Sequence, residues 1–266
     1  MKDPFGRTLD YLRISVTDRC NLRCQYCMPP EGVPLLAHEQ ILSLEEILAV
    51  ARAAAELGFR RYRLTGGEPL LRRNLLWLVG QLAVLPGVED LALTTNGIRL
   101  PELAGPLREA GLQRVNVSLD ALDPVRYREL TRGGDVKAVL AGIDAAETAG
   151  LRPLKLNCVV ERSKEEPDAQ AVAAFGRARG FEVRFIRRMD LRGGTFSAIE
   201  GGSGGQCDRC NRLRLTSSGF IKPCLFSDRS FAVRELGPRR ALEMACAQKP
   251  ESGVCCQGDP MVRIGG

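Results

Sequence analysis

Histidine is almost missing from this chain, which has a single one, His38, among 266 residues. It stands in a polar stretch before the first helical pattern, where a solvated loop residue is the ordinary expectation. Imidazole acid–base catalysis and histidine-rich metal sites therefore have little to be built from. Aromatic residues make up only 5% of the chain, tryptophan occurs once, and no basic stretch is interleaved with aromatics. A stacking platform for single-stranded RNA or DNA lacks its material, so no nucleic-acid partner is expected. Long apolar runs are lacking as well. The opening MKDPFGRTLDYLR carries charge and proline, so neither a signal peptide nor a membrane span is expected, and the cytoplasm is the expected location.

Cysteine, by contrast, is plentiful, with ten residues. In a reducing compartment so many thiols, closely spaced, argue for metal ligation over a disulfide framework. The net charge of +6 is a mild basic excess that suits a nucleotide better than a nucleic acid. With 44% hydrophobic and 26% charged residues the chain has the composition of a globular protein with one large core.

Six of the cysteines form two trios. Cys20, Cys24 and Cys27, in CNLRCQYC, are separated by three and then two residues; Cys207, Cys210 and Cys224, in CDRCNRLRLTSSGFIKPC, by two and then thirteen. A cubane iron–sulfur cluster usually takes four cysteines, one per iron. Three leave one iron open to a small molecule, so two trios suggest two clusters, each with a vacant site. A structural zinc ion in the first loop would want a fourth ligand, and no histidine is near enough in sequence to supply it. Cys158 reads as a buried small apolar residue, and Cys246, Cys255 and Cys256 carry no assigned role.

Strand and helix patterns alternate up to about residue 186. Strands are expected at Tyr11–Val16, Tyr62–Thr65, Leu91–Thr95, Val115–Leu119, Leu154–Val160 and Glu182–Ile186. Between them run helical patterns: one capped by Ser43 with Glu46 at the capping-box position, then Asn74–Leu85, Pro101–Ala110, Val136–Ala149 and Asp168–Arg179. Repeated β/α units of one direction imply a parallel sheet, doubly wound or curled into an incomplete barrel. The first trio, the turn Thr65–Pro69, the turn Thr94–Gly97 and Ser118–Asp120 each follow a strand, so all should open on one face. Residues 187–206 are glycine-rich and read as a flexible connection. Residues 207–266 read as a small appendage, with a cysteine loop, a strand pair turning at Ser218-Gly219 and a helix within Phe231–Ala247. Arg212 and Arg214 alternate along one strand and so share a face, as do Arg61 and Arg63. Paired guanidinium groups suit phosphate oxygens.

CNLRCQYC, with an aromatic residue before its last cysteine, resembles the signature of the radical S-adenosylmethionine superfamily, and TGGEP resembles that superfamily's glycine-rich turn. The second trio, together with LRISVTDRCN, RLTGGEPLLRR, TTNG, VNVSLDA and the final Gly-Gly, is similar to the GTP 3',8-cyclase family, which opens molybdenum cofactor biosynthesis. The resemblance implies an incomplete (β/α)6 TIM-type barrel with a small C-terminal cluster-binding appendage, two 4Fe-4S clusters and S-adenosylmethionine. It implies Cys20, Cys24, Cys27, Cys207, Cys210 and Cys224 as metal ligands. Contacts to S-adenosylmethionine would come from Tyr26, Gly66, Gly67, Glu68, Ser118 and Met189. Contacts to GTP would come from Arg13, Arg63, Thr94, Lys155, Arg212, Leu213 and Arg214. Arg212, Arg214, Gly265 and Gly266 would be the residues on which the radical chemistry depends.

In that family a 5'-deoxyadenosyl radical removes hydrogen from ribose C3', and the carbon radical attacks C8 of the purine. The implied partners are GTP and an electron donor such as flavodoxin or ferredoxin, with a homodimer as an assembly to consider. Two departures stand out. Only twenty residues join Ile186 to Cys207 where the family has a longer segment. Arg187 stands where an acidic residue is usual, and Arg61 where lysine often is. The alternatives are a shortened homologue without cyclase activity, a peptide-modifying radical maturase and a non-catalytic sensor of GTP or redox state. Cleavage of S-adenosylmethionine separates enzyme from sensor.

Overall fold

Helix α1 (Leu44–Glu56) begins where its sequence asks it to. The Ser43 side chain accepts from the Glu46 backbone N–H at 3.1 Å, and the Glu46 carboxylate accepts from the Ser43 N–H at 2.7 Å. Its buried residues Leu44, Ile47, Leu48, Ala51 and Ala54 recur at helical spacing and press one face against the sheet. The chain leaves it through Gly58, whose φ of +88° glycine adopts without a Cβ penalty. Helices α2 (Leu75–Ala83), α3 (Leu100–Glu109), α5 (Val136–Thr148) and α6 (Pro167–Arg179) cover the same face. Helix α4 (Pro124–Thr131), which the patterns do not announce, buries only Tyr127 and Thr131 and is otherwise polar.

The computed structural model describes residues 1–202, 204–258 and 260–265; Gly266 lies outside the described residues. Strands β1 (Tyr11–Ser15), β2 (Arg61–Thr65), β3 (Asp90–Thr95), β4 (Arg114–Ser118), β5 (Lys155–Val160) and β6 (Glu182–Arg187) pair in sequence order, each parallel to the next. A doubly wound sheet reverses direction at a switch point. Here every crossover advances the same way, which curls the sheet into a partial barrel. Strand β7 (Arg212–Leu215) adds to the other side of β1, also in parallel. The antiparallel strands β8 (Phe220–Lys222) and β9 (Phe231–Ala232) complete the order β6-β5-β4-β3-β2-β1-β7-β8-β9. The barrel is open, with β6 and β9 as its edges. Helices α7 (Val233–Leu236) and α8 (Pro238–Ala247) follow, and α9 (Met261–Ile264) lies near the C-terminus.

The two faces of the strands differ in chemistry. Leu12, Ile14, Tyr62, Leu64, Leu91, Leu93, Val115, Val117 and Leu156 are buried in the helix layer with the rest of the main core. The alternate positions that face inward include Tyr11, Arg13, Arg61, Arg63, Asp90, Arg114, Asn157 and Arg184, all lining one cavity. A barrel interior that serves packing alone is filled by branched apolar residues. This interior is instead a polar cavity lined by cations.

The described residues between 187 and 206 are bonded into the open edge. Phe185 of β6 bridges Glu200, Asp190 bridges Thr195, and Lys164 pairs with Glu200. Met189, Leu191 and Phe196 pack with Phe226, Cys256 and Ile264 in a second, small apolar cluster. A Cβ on Gly201 would meet the Val183 carbonyl oxygen at 2.6 Å, and one on Gly194 the Val254 carbonyl oxygen at 2.0 Å. Glycine in this stretch thus permits close backbone approach, where composition suggests only a tether. No described helix is long and apolar enough to cross a membrane.

Candidate active site

The first cysteine trio lies on the loop that leaves the C-terminal end of β1. Cys27 N–H donates to the Cys24 carbonyl at 2.9 Å, and Leu22 N–H donates to the Cys20 sulfur at 3.4 Å, so a single turn gathers the three thiols. Helix α4 anchors the loop from outside. Arg23 N–H donates to the Thr131 carbonyl, Gln25 N–H to the Leu130 carbonyl, and Arg132 to the carbonyls of Arg23 and Met28. Burial pushes the Cys20 thiol up to about 11 and, with Asp120 nearby, Cys24 up to about 12. Three half-buried thiols that resist ionisation fit a site whose negative charge an iron cluster neutralises. Among the described residues no three histidine, cysteine or acidic side chains are grouped to hold a single metal ion.

The glycine-rich turn after β2 is stitched to the same loop. Gly67 N–H donates to Thr17 at 2.8 Å and Glu68 N–H to Arg19 at 2.7 Å. A Cβ on Gly66 would sit 2.5 Å from the Thr17 carbonyl oxygen, and one on Gly67 2.3 Å from that of Arg19. The glycines therefore let two backbones touch beside Cys20. Glu68 is 1% exposed. Its carboxylate accepts from Leu70 N–H, Thr95 hydroxyl and Asn96 N–H at 3.0, 2.7 and 2.7 Å, which clamps the β2 and β3 turns together. Tyr26 donates its hydroxyl to Asp120 at 2.7 Å, and Asp120 also accepts from Val159 N–H at 2.8 Å. Ser118 ends β4. Met189 stands where the cavity inside the barrel meets the opening beside Tyr26 and Cys27.

The second trio precedes β7 and follows β8, which puts it at the N-terminal mouth of the barrel, opposite the first. A five-residue strand, about 16 Å long, separates the two ends. Arg7 reaches across to this loop. Its guanidinium pairs with Asp3 at 2.6 Å and donates to the carbonyls of Cys207, Pro250 and Glu251 at 2.6, 2.6 and 2.8 Å. All ten cysteines are free thiols. Burial alone would raise Cys210, but the charges of Lys249 and Arg212 outweigh it and bring the thiol down to about 7.

That contrast with Cys24 can be measured in iron-free protein with iodoacetamide. At about pH 7.5 the thiolate fraction favours Cys210 by roughly four orders of magnitude, while the weaker nucleophilicity of a low-pKa sulfur takes back roughly half of them. Peptide mapping should find Cys210 alkylated about a hundredfold faster than Cys24. Equal rates would remove the electrostatic account of this loop.

Between the two mouths lies a cavity of about 320 Å³. Register places Arg214, Arg13 and Arg63 side by side on β7, β1 and β2, with Arg212, Tyr11 and Arg61 in the row below. Burial, with Arg13 among the neighbouring cations, depresses Arg63 and Arg214 to about 9. The Nε atoms of Arg13 and Arg63 are buried without a hydrogen-bond partner, and so is the Thr94 hydroxyl. Such a row of like charges is costly until an anion enters it.

Lys155 is engaged differently, its ammonium held by Glu182 at 2.5 Å. Leu213 turns its side chain into the helix-side core and can offer the chamber only backbone. At the upper mouth Gly265 sits beside Ser15 and Thr65, and its carbonyl accepts from Arg214 Nη1 at 2.5 Å.

Several residues of the site were not singled out from sequence. Arg114, Arg184 and Asn157 line the chamber, and strand alternation would have flagged them, since they share a face with Asn116, Glu182 and Lys155. Arg7 and Lys249 act at long range, and no local pattern announces them.

An open parallel barrel with a three-thiol loop after its first strand defines a radical S-adenosylmethionine protein. The model of the Radical SAM superfamily matches residues 14–173. On the evidence of its relatives the chain belongs to the GTP 3',8-cyclase family. It is 44% identical to the GTP 3',8-cyclase of Moorella thermoacetica, over 91% of this chain and 88% of that one. It is 42% identical to that of Geobacter sulfurreducens, over 87% and 85%. The first alignment spans 288 positions against a chain of 266 residues, so the relative carries residues that this chain lacks. Among solved structures, native anSMEcpe with bound AdoMet superposes with a TM-score of 0.61 at 16% identity, over 91% of this chain and 81% of that one. Methylornithine synthase superposes with a TM-score of 0.58 at 16% identity, over 76% and 61%. These two likenesses concern the fold.

Proposed function

We propose that this protein converts GTP to (8S)-3',8-cyclo-7,8-dihydroguanosine 5'-triphosphate, the entry step of molybdenum cofactor biosynthesis. The observation that carries the reading is the register row Arg214–Arg13–Arg63 inside a chamber bordered by a second cysteine trio. Cys20, Cys24 and Cys27 would hold the first 4Fe-4S cluster, which together with S-adenosylmethionine supplies a radical able to take hydrogen from ribose. Cys207, Cys210 and Cys224 would hold a second cluster at the other mouth.

The chain's own residues then do four things. The arginine row neutralises and orients the triphosphate through charge-assisted hydrogen bonds. Gly66 and Gly67 keep the turn close to the first cysteine loop. Residues 187–206 cover the open edge and keep water from the reacting carbon. The Gly265 carbonyl and Arg214 fix the tail at the upper mouth. In this reading residues 1–186 form the radical-generating barrel and residues 207–266 the substrate-binding appendage. An electron donor of the flavodoxin or ferredoxin kind would reduce the first cluster in the cytoplasm.

Anaerobic reconstitution, reduction and product analysis with GTP and S-adenosylmethionine test the proposal. S-adenosylmethionine cleaved without any cyclised nucleotide would defeat it. A binding measurement checks the phosphate contacts separately. Losing two charge-assisted contacts of roughly 1.5 kcal/mol each predicts that guanosine binds about a hundredfold more weakly than GTP. Replacing Arg13 and Arg63 with alanine should erase most of that difference while iron content stays unchanged. Equal affinity for GTP and guanosine in the unmodified protein would refute the role of the row.

A further inference from the structure

Lys249 follows α8 in a loop that Arg7 pins through the carbonyls of Pro250 and Glu251. It is 3% exposed. Its ammonium donates to the Arg212 carbonyl at 2.8 Å and to the Pro223 carbonyl at 2.6 Å. These two acceptors flank the second trio, one two residues after Cys210 and the other just before Cys224. Burial raises both neighbouring thiols, and the charge of the same ammonium pulls against it at Cys210 and at Cys224. Among the described residues no carboxylate pairs with Lys249. A buried ammonium held only by carbonyl dipoles is poorly compensated until negative charge lies beside it. Carbonyl acceptors at fixed positions also aim the third N–H, since an ammonium has three donors and no acceptor.

We propose that Lys249 is the positioning residue of the second cluster: it joins the two halves of the cysteine loop, donates to the Cys210 thiolate and holds the cluster's reduction potential up. This rests on the reading that Cys207, Cys210 and Cys224 carry a cluster. Hydrogen bonds to cluster sulfurs and the net charge around them are among the factors that set the potential. Both favour the reduced cluster, which carries the additional negative charge. The same contacts explain why the loop can close with so long a step between Cys210 and Cys224: the strand pair that intervenes is tied back by one side chain at its two ends.

The test uses full-length protein bearing Cys24→Ala, so that only the second trio can bind a cluster. After anaerobic reconstitution this parent should hold about four irons. Its midpoint potential is read by electron paramagnetic resonance during titration with dithionite in the presence of redox mediators. Adding Lys249→Met, close in length and uncharged, should shift the midpoint to lower potential and speed the loss of iron to a chelator. An unchanged midpoint at full iron content overturns the proposal. If Lys249→Met takes up no iron, Lys249→Arg decides. Recovery of uptake with the charge retained supports the proposal, and an iron-free Lys249→Arg protein overturns it. A parent protein that binds no iron instead removes the second cluster itself, a failure distinct from an unshifted potential.

Discussion

Gly265→Ala is expected to abolish the cyclised nucleotide while leaving iron content and S-adenosylmethionine binding unchanged. The backbone there has φ of +80°, which costs an L-residue roughly 1–2 kcal/mol. The added Cβ would also lie 2.5 Å from Thr65 Cγ2. Thr65 belongs to β2 in the middle of the sheet, between β1 and β3, so the barrel is the stiffer partner. The tail leads in from the four-residue helix α9, whose Val262 and Ile264 are buried, so the displacement falls on Gly265 beyond the helix. The tail therefore backs out, and Arg214 loses the Gly265 carbonyl. The guanidinium would then be free to turn toward the chamber, and the upper mouth would open to water. Chromatography of the nucleotide products beside an iron assay gives the answer. A variant that makes the wild-type amount of product would reduce the tail to an ordinary terminus.

Gly67→Ala should strike the other mouth. Its Cβ would lie 2.3 Å from the carbonyl oxygen and 2.6 Å from the carbonyl carbon of Arg19, the residue before Cys20. Both atoms are backbone, so no rotamer change relieves the overlap. Two hydrogen bonds, Gly67 N–H to Thr17 and Glu68 N–H to Arg19, hold the segments together and must stretch. Overpacking of this kind usually costs about 1–3 kcal/mol and shifts backbone. Here the shift moves Cys20, a cluster ligand in the proposed reading. The expected protein retains the iron of the second trio, about half of the roughly eight atoms two cubanes would bring, and cleaves no S-adenosylmethionine. Full iron content with normal cleavage would mean that the loop tolerates the displacement. Gly66→Ala should act in the same direction through the Thr17 carbonyl.

The two variants separate the functions of the barrel's ends. One should stop the substrate chemistry after radical formation, and the other should stop radical formation. A sensor without catalysis would respond to neither in its product profile.

The chain itself determined everything that depends on near neighbours. The capping box of α1, the glycines of the turn after β2 and the one-loop spacing of Cys20, Cys24 and Cys27 all lie within a few residues. Their meaning follows from backbone geometry and ligand reach. The alternation of the strands likewise announced that Arg212 and Arg214 share a face. Only the tertiary structure decided what those faces meet. The parallel pairing of β7 with β1 joins positions some two hundred residues apart. That pairing sets Arg214 beside Arg13 and puts the second trio at the mouth opposite the first. Helix α4 escaped notice because its few buried residues make no periodic stripe, yet it anchors the first cysteine loop. Nothing in the local sequence distinguishes Arg7 and Lys249; the fold brings the carbonyls around Cys207, Cys210 and Cys224 to them. Local propensity carries no information about such partners, because the energy that selects them comes from burial and desolvation shared across the whole barrel.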